Sequence, residues 1–175
     1  MIETKEIDTN QLVHEVIGAL IKIPEECKNK TDPEWTFHIK KSLEKIADNH
    51  GLRCSFTDKK NKKKEWLHDF IMYDMINDDE FGKDSKRLGK VYLCAESEWK
   101  VDIDEIQEDF EKLLVAKAKI KLMIYCRMKE WEEWMRRLVE KSEIDIGGEI
   151  YILAAYDESA FFIEQYEDGR WSVKP

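Results

Sequence analysis

No stretch of this sequence reaches the ~20 consecutive apolar residues that a membrane-spanning helix requires. The opening residues, Met1-Ile2-Glu3-Thr4-Lys5-Glu6, are polar and acidic where a secretory signal peptide is basic and then apolar. Both absences predict a soluble, cytoplasmic protein. The four cysteines, Cys27, Cys54, Cys94 and Cys126, form no CxxC pair, which argues against a zinc knuckle or a thioredoxin-type site. Cys54, Cys94 and Cys126 each sit in an apolar run and read as reduced core residues of a reducing compartment. Walker, GxGxxG, GxSxG and HExxH patterns are all missing, so P-loop, serine-hydrolase and zinc-hydrolase chemistry have no support. Positive charge is also in deficit. The formal net charge is −9, which taken alone counts against a large nucleic-acid footprint.

What is present is a core-forming chain of ordinary domain size. Its 175 residues are 42% hydrophobic and 38% charged, enough apolar material for one core beneath a well-solvated surface. A single domain over residues 1–175 is expected, since no repeat, low-complexity tract or linker interrupts it. The charges are unevenly spread. Lys59, Lys60, Lys62, Lys63 and Lys64 form a dense basic loop, and Lys83, Lys86, Arg87 and Lys90 a second cluster. Acid gathers between Asp102 and Glu111. The lysine loop reads either as a solvated hairpin tip or as a local phosphate-binding patch.

Apolar positions Leu12, Val13, Val16, Ile17, Leu20 and Ile21 have helical spacing, with Asp8 or Thr9 as cap and Pro24 as a stop. Thr31-Asp32-Pro33-Glu34 has the form of a capping box, and Gly51 closes the helix that follows. Strands are predicted at 52–57, 65–73, 90–98, 120–126, 149–156 and 160–166. Helices are predicted from Ile103 to about Ala118 and around Trp131–Val139. The first three strands should form an antiparallel meander, and the next helix should cross over to a parallel strand. The expected fold class is α/β, a mixed central sheet flanked by helices.

Three acids stand out on these strands. Alternation puts Leu67, Asp69, Ile71 and Tyr73 on one face of the second strand, and Tyr92, Cys94, Glu96 and Glu98 on one face of the third. A carboxylate on a half-buried strand needs compensation. A hard divalent cation such as Mg²⁺ would provide it for Asp69, Glu96 and Glu98 together. The bland alternative leaves Glu96 and Glu98 in water and pairs Asp69 with a lysine. His68, by alternation, should face away from the acids. His14, His38 and His50 show no ligand spacing. Trp35, Trp131 and Trp134 read as core, and Trp99 as the one tryptophan suited to walling a substrate site.

The helix–strand–strand–strand–helix–strand order, with these acids, resembles the PD-(D/E)XK nuclease superfamily, the restriction-endonuclease-like αβββαβ core, over roughly residues 33–126. Asp69, in Trp66-Leu67-His68-Asp69-Phe70-Ile71, occupies the place of that family's strand aspartate. Glu96, in Cys94-Ala95-Glu96-Ser97-Glu98-Trp99, fits the acid of its acid–x–Lys motif, and Glu98 stands where the lysine belongs. The resemblance implies Mg²⁺ or Mn²⁺ held by Asp69 and Glu96, with Glu44 of the preceding helix as a further ligand. It also implies hydrolysis of phosphodiester bonds in DNA or RNA, with Glu98 positioning or deprotonating water. Lys117, or Lys119 or Lys121, would be the substitute lysine. Nucleic acid would be met by Lys60, Lys62, Lys63 and Lys64. The alternative is a catalytically inactive nuclease-fold protein, of immunity or antirestriction type, that binds a protein partner or a second copy of itself. The net charge and the missing motif lysine favour that alternative.

Overall fold

A computed structural model describes residues 7–28, 30–56, 67–78, 82, 85–142 and 148–174. Two helices come first, α1 (Thr9–Glu26) and α2 (Asp32–His50). The Asp8 carboxylate caps α1 by accepting from the Asn10 and Gln11 N–H groups at 2.9 and 3.2 Å. Pro24 does not stop α1 as the sequence predicts; it lies inside the helix. It falls in the last turn, where a lost donor affects one carbonyl only, and the helix still closes with Cys27 N–H donating to Ile23 C=O at 2.9 Å. At the start of α2, Glu34 accepts from both the N–H and the hydroxyl of Thr31, at 2.9 and 2.8 Å. Gly51 ends α2 at φ 71°, a conformation that glycine adopts freely.

The strands follow as β1 (Arg53–Phe56), β2 (Phe70–Asn77) and β3 (Lys86–Glu98). Next come α3 (Ile103–Val115), β4 (Ile120–Cys126), α4 (Lys129–Lys141), β5 (Ile150–Asp157), β6 (Ala160–Glu167) and β7 (Arg170–Lys174). These seven strands join one sheet in sequence order. β1, β2 and β3 pair antiparallel, β3, β4 and β5 parallel, and β5, β6 and β7 antiparallel. The α/β class and the mixed sheet are as expected. The sheet is larger than an αβββαβ core: β5 to β7 extend it, and β7 has no counterpart in the sequence reading. Among the described residues no helix is long and apolar enough to cross a membrane.

The layering follows from the crossovers. The steps β3–α3–β4 and β4–α4–β5 advance in one direction across the sheet, and right-handed connections then put both helices on one face. Ile106, Phe110, Trp131 and Met135 seal that face over Ile71, Cys94, Met123 and Leu153. α1 and α2 fill the opposite face. There Leu12, Val16, Leu20, Ile39 and Leu43 share a core with Phe70 and Met72 of β2, Leu93 of β3, and Ile120, Leu122 and Ile124 of β4.

The β2–β3 pair is irregular, and this matters for the site. Met72 pairs with Leu93 but Tyr73 pairs with Val91, so β3 carries one extra residue there, Tyr92, as a β-bulge. The bulge turns Tyr92 into the α1–α2 core, while Val91 and Cys94 face α3 and α4. The expected common face of Tyr92 with Cys94 and Glu96 is therefore broken. A second shift falls between Tyr73 and Met75. There the Asp74 carboxylate accepts from Lys90 N–H and lies across Gly89, where a Cβ would come within 1.9 Å of its Oδ1.

Candidate active-site cleft at the ends of β2 and β3

The carboxyl end of β3 and the residues just before β2 meet beside α3, at the strand ends where open α/β sheets commonly take ligands. A cleft of about 260 Å³ lies there, with Asp69, Glu96, Glu98 and Asp109 as its acids. His68, Ser97 and Lys112 complete its polar lining among the described residues.

Asp69 does not lie on a strand. β2 begins at Phe70, and residues 67–69 form a bend, so alternation does not fix their directions. The Asp69 side chain turns towards α2. Its Oδ1 accepts from Lys40 Nζ at 3.0 Å, and its Oδ2 accepts from the Ser97 N–H and hydroxyl at 2.9 and 2.8 Å. Lys40 is only 7% exposed, so this cation is fixed beside the acid. Sequence reasoning missed Lys40, whose one signal is a lysine on the buried stripe of α2, one position after Ile39.

Glu96 is buried at 4% exposure, on the side of the sheet that carries Cys94. Its Oε2 accepts from the Asp69 N–H at 3.1 Å, and His68 Nδ1 lies 2.7 Å from its Oε1. An ionised carboxylate can only accept, so Nδ1 carries the hydrogen in that pairing. His68 thus faces Glu96, opposite to the expectation from strand alternation, because it sits in the bend. Burial pushes the Glu96 carboxyl above the usual carboxylate range. The hydrogen bonds from His68 and Asp69 N–H pull the other way, and the charges of Asp69 and Asp109 add to the rise.

Glu98 accepts from Lys100 N–H at 2.7 Å. Burial raises its carboxyl too, and Glu105 and Asp109 add to the rise. From α3, Lys112 pairs with Asp109 at 2.9 Å and Glu108 at 3.1 Å, and the hydrogen bond to Asp109 holds its ammonium group above the usual lysine range. The cleft is therefore acid-rich with a cation on either side, Lys40 from α2 and Lys112 from α3.

The other expected site residues lie elsewhere. Glu44 accepts from Lys41 at 2.7 Å and is not part of the cleft lining. Lys117 is exposed and lies beyond α3, which ends at Val115 instead of continuing to about Ala118. Lys121 is buried, donating to the Leu114 carbonyl at 2.9 Å and the Tyr151 hydroxyl at 3.1 Å, with Glu149 at 2.6 Å. Trp99 does not wall the cleft: its Nε1 donates to Thr36 Oγ1 at 2.7 Å, and its ring packs on Trp35. Lys60, Lys62, Lys63 and Lys64 fall outside the described residues.

Oxygen ligands of this kind suit a hard cation such as Mg²⁺ or Mn²⁺. Among the described residues, however, no three His, Cys, Asp or Glu side chains are grouped so as to hold a metal ion. Asp69 already accepts from Lys40 and Ser97, and Glu96 from His68 and the Asp69 N–H, so an ion would share these carboxylates with their present partners. Compared with known protein families and curated proteins, the sequence matches no family model and no curated relative.

Proposed function

We propose that this protein is a metal-dependent nuclease built on a restriction-endonuclease-like core, acting on phosphodiester bonds of DNA or RNA. One observation carries the reading: four carboxylates and a lysine, from the bend before β2, from β3 and from α3, line a single cleft at the carboxyl end of β3. The succession α2, β1, β2, β3, α3, β4 supports it as well. The donor chemistry fits Mg²⁺ or Mn²⁺, with Asp69 and Glu96 as the residues that would hold it. When bound, such an ion polarises a phosphate oxygen and lowers the pKa of water. Glu98, its carboxyl raised by burial and its acidic neighbours and so made more basic, would accept a proton from water. Lys112 would hold a phosphate oxygen at the α3 side of the cleft. Lys40 provides, beside Asp69, the cation that the strand lacks at Glu98.

A second reading is favoured by the saturation of Asp69. With Lys40 and Ser97 already satisfying both of its oxygens, the cleft is also consistent with a catalytically inactive nuclease-fold protein that binds a protein partner. Incubation with labelled single-stranded and duplex DNA and RNA in Mg²⁺ or Mn²⁺ separates the two. The nuclease reading expects cleavage by the wild type, loss of cleavage on chelation, and loss in Glu96→Gln. Intact substrates under every condition would leave the binding-protein reading.

A further inference from the structure

A second hollow adjoins the acidic cleft and differs from it in chemistry. It measures about 520 Å³, within the size range of small-ligand sites. Ile71, Leu88, Val91, Cys94 and Val115 give it apolar walls. Among the described residues its polar groups are His68, Lys112 and Lys117, and no acidic side chain lines it. Leu67, His68 and Lys112 line both hollows, so the two adjoin. At its mouth, Leu67 is 86% exposed and Val115 73% exposed, apolar side chains that a ligand would cover.

We infer that this hollow binds the unpaired base of a nucleotide whose phosphate lies at Lys112. The inference rests on the nuclease reading of the neighbouring cleft and deepens it by naming the substrate class, a single-stranded or unpaired nucleic acid. A nucleotide joins a flat base to an anionic phosphate, and the acid-free hollow with Lys112 at its border matches that sequence of chemistries. Lys112 and Lys117 complement the phosphates on either side. A base still paired within a duplex could not enter, so the pocket selects single strands, ends or extruded bases.

The test measures binding by the full chain in a chelator, using fluorescence anisotropy with a short single-stranded oligonucleotide and its abasic counterpart. The intact strand should bind roughly tenfold more tightly, from the burial of one base against apolar walls. Ala116→Trp, which fills the hollow, and Val115→Glu, a change at an exposed position, should each bring the intact strand down to the abasic level. Equal affinity of wild type for the two strands, binding to neither, or discrimination that survives both variants would overturn the inference. Cleavage is read separately with Mn²⁺. Discrimination without cleavage keeps the base pocket and removes the nuclease reading, and cleavage without discrimination does the reverse.

Discussion

At the scale of single residues, the site depends on a few buried charges whose partners the sequence did not disclose. The acids Asp69, Glu96 and Glu98 were legible as polar breaks in apolar runs. A lysine beside Asp69 was one of the two readings and is found as Lys40, but neither Lys40 nor His68 could be named, because they reach the acids through a helix packing and a bend that no strand periodicity encodes. Burial of Glu96 has a consequence for stability. Its carboxyl is raised, so between the ordinary and the raised value the native state holds a proton that the unfolded chain has lost. Stability therefore falls as pH rises through that window. Without metal, urea denaturation at about pH 5 and about pH 7 should show the wild type losing more stability on the way up than Glu96→Gln. Equal losses would mean that Glu96 is not desolvated in the native state.

At the scale of elements, periodicity and capping predicted most of the architecture. The capping box at Thr31, the Gly51 cap and the β4 strand all fall where the sequence places them. Strand ends were less legible. β2 starts at Phe70 and β3 at Lys86, displaced from the predicted 65 and 90. The two strands pair beyond the boundary that polar residues suggested, with Asn77 opposite Lys86. The bulge at Tyr92 was hidden for a related reason: an apolar residue suits either face of a sheet that is covered on both sides. Gly89 tests the second irregularity. Gly89→Ala should destabilise the protein by about 1–3 kcal/mol, since the new methyl group meets the Asp74 carboxylate. Asp74→Ala in the same chain should recover part of that loss. A neutral Gly89→Ala in thermal or urea denaturation would show that Asp74 moves aside freely.

At the scale of the whole molecule, an acidic chain that acts on nucleic acid, as proposed, must meet it through local positive charge. The net charge is −9, yet five lysines fall between residues 59 and 64. Lys62, Lys63 and Lys64 changed together to Ser should weaken nucleic-acid binding and reduce its salt slope by about one unit for each phosphate no longer neutralised. An unchanged slope in a salt series would make these lysines solubilising residues only. If the cleft at the ends of β2 and β3 is a metal site, calorimetric titration of the full chain with Mn²⁺ tests it most directly. Saturable binding is expected for the wild type, lost in Glu96→Gln and kept in the triple lysine variant. No binding heat from the wild type at roughly millimolar Mn²⁺ or Mg²⁺ would contradict a metal site there.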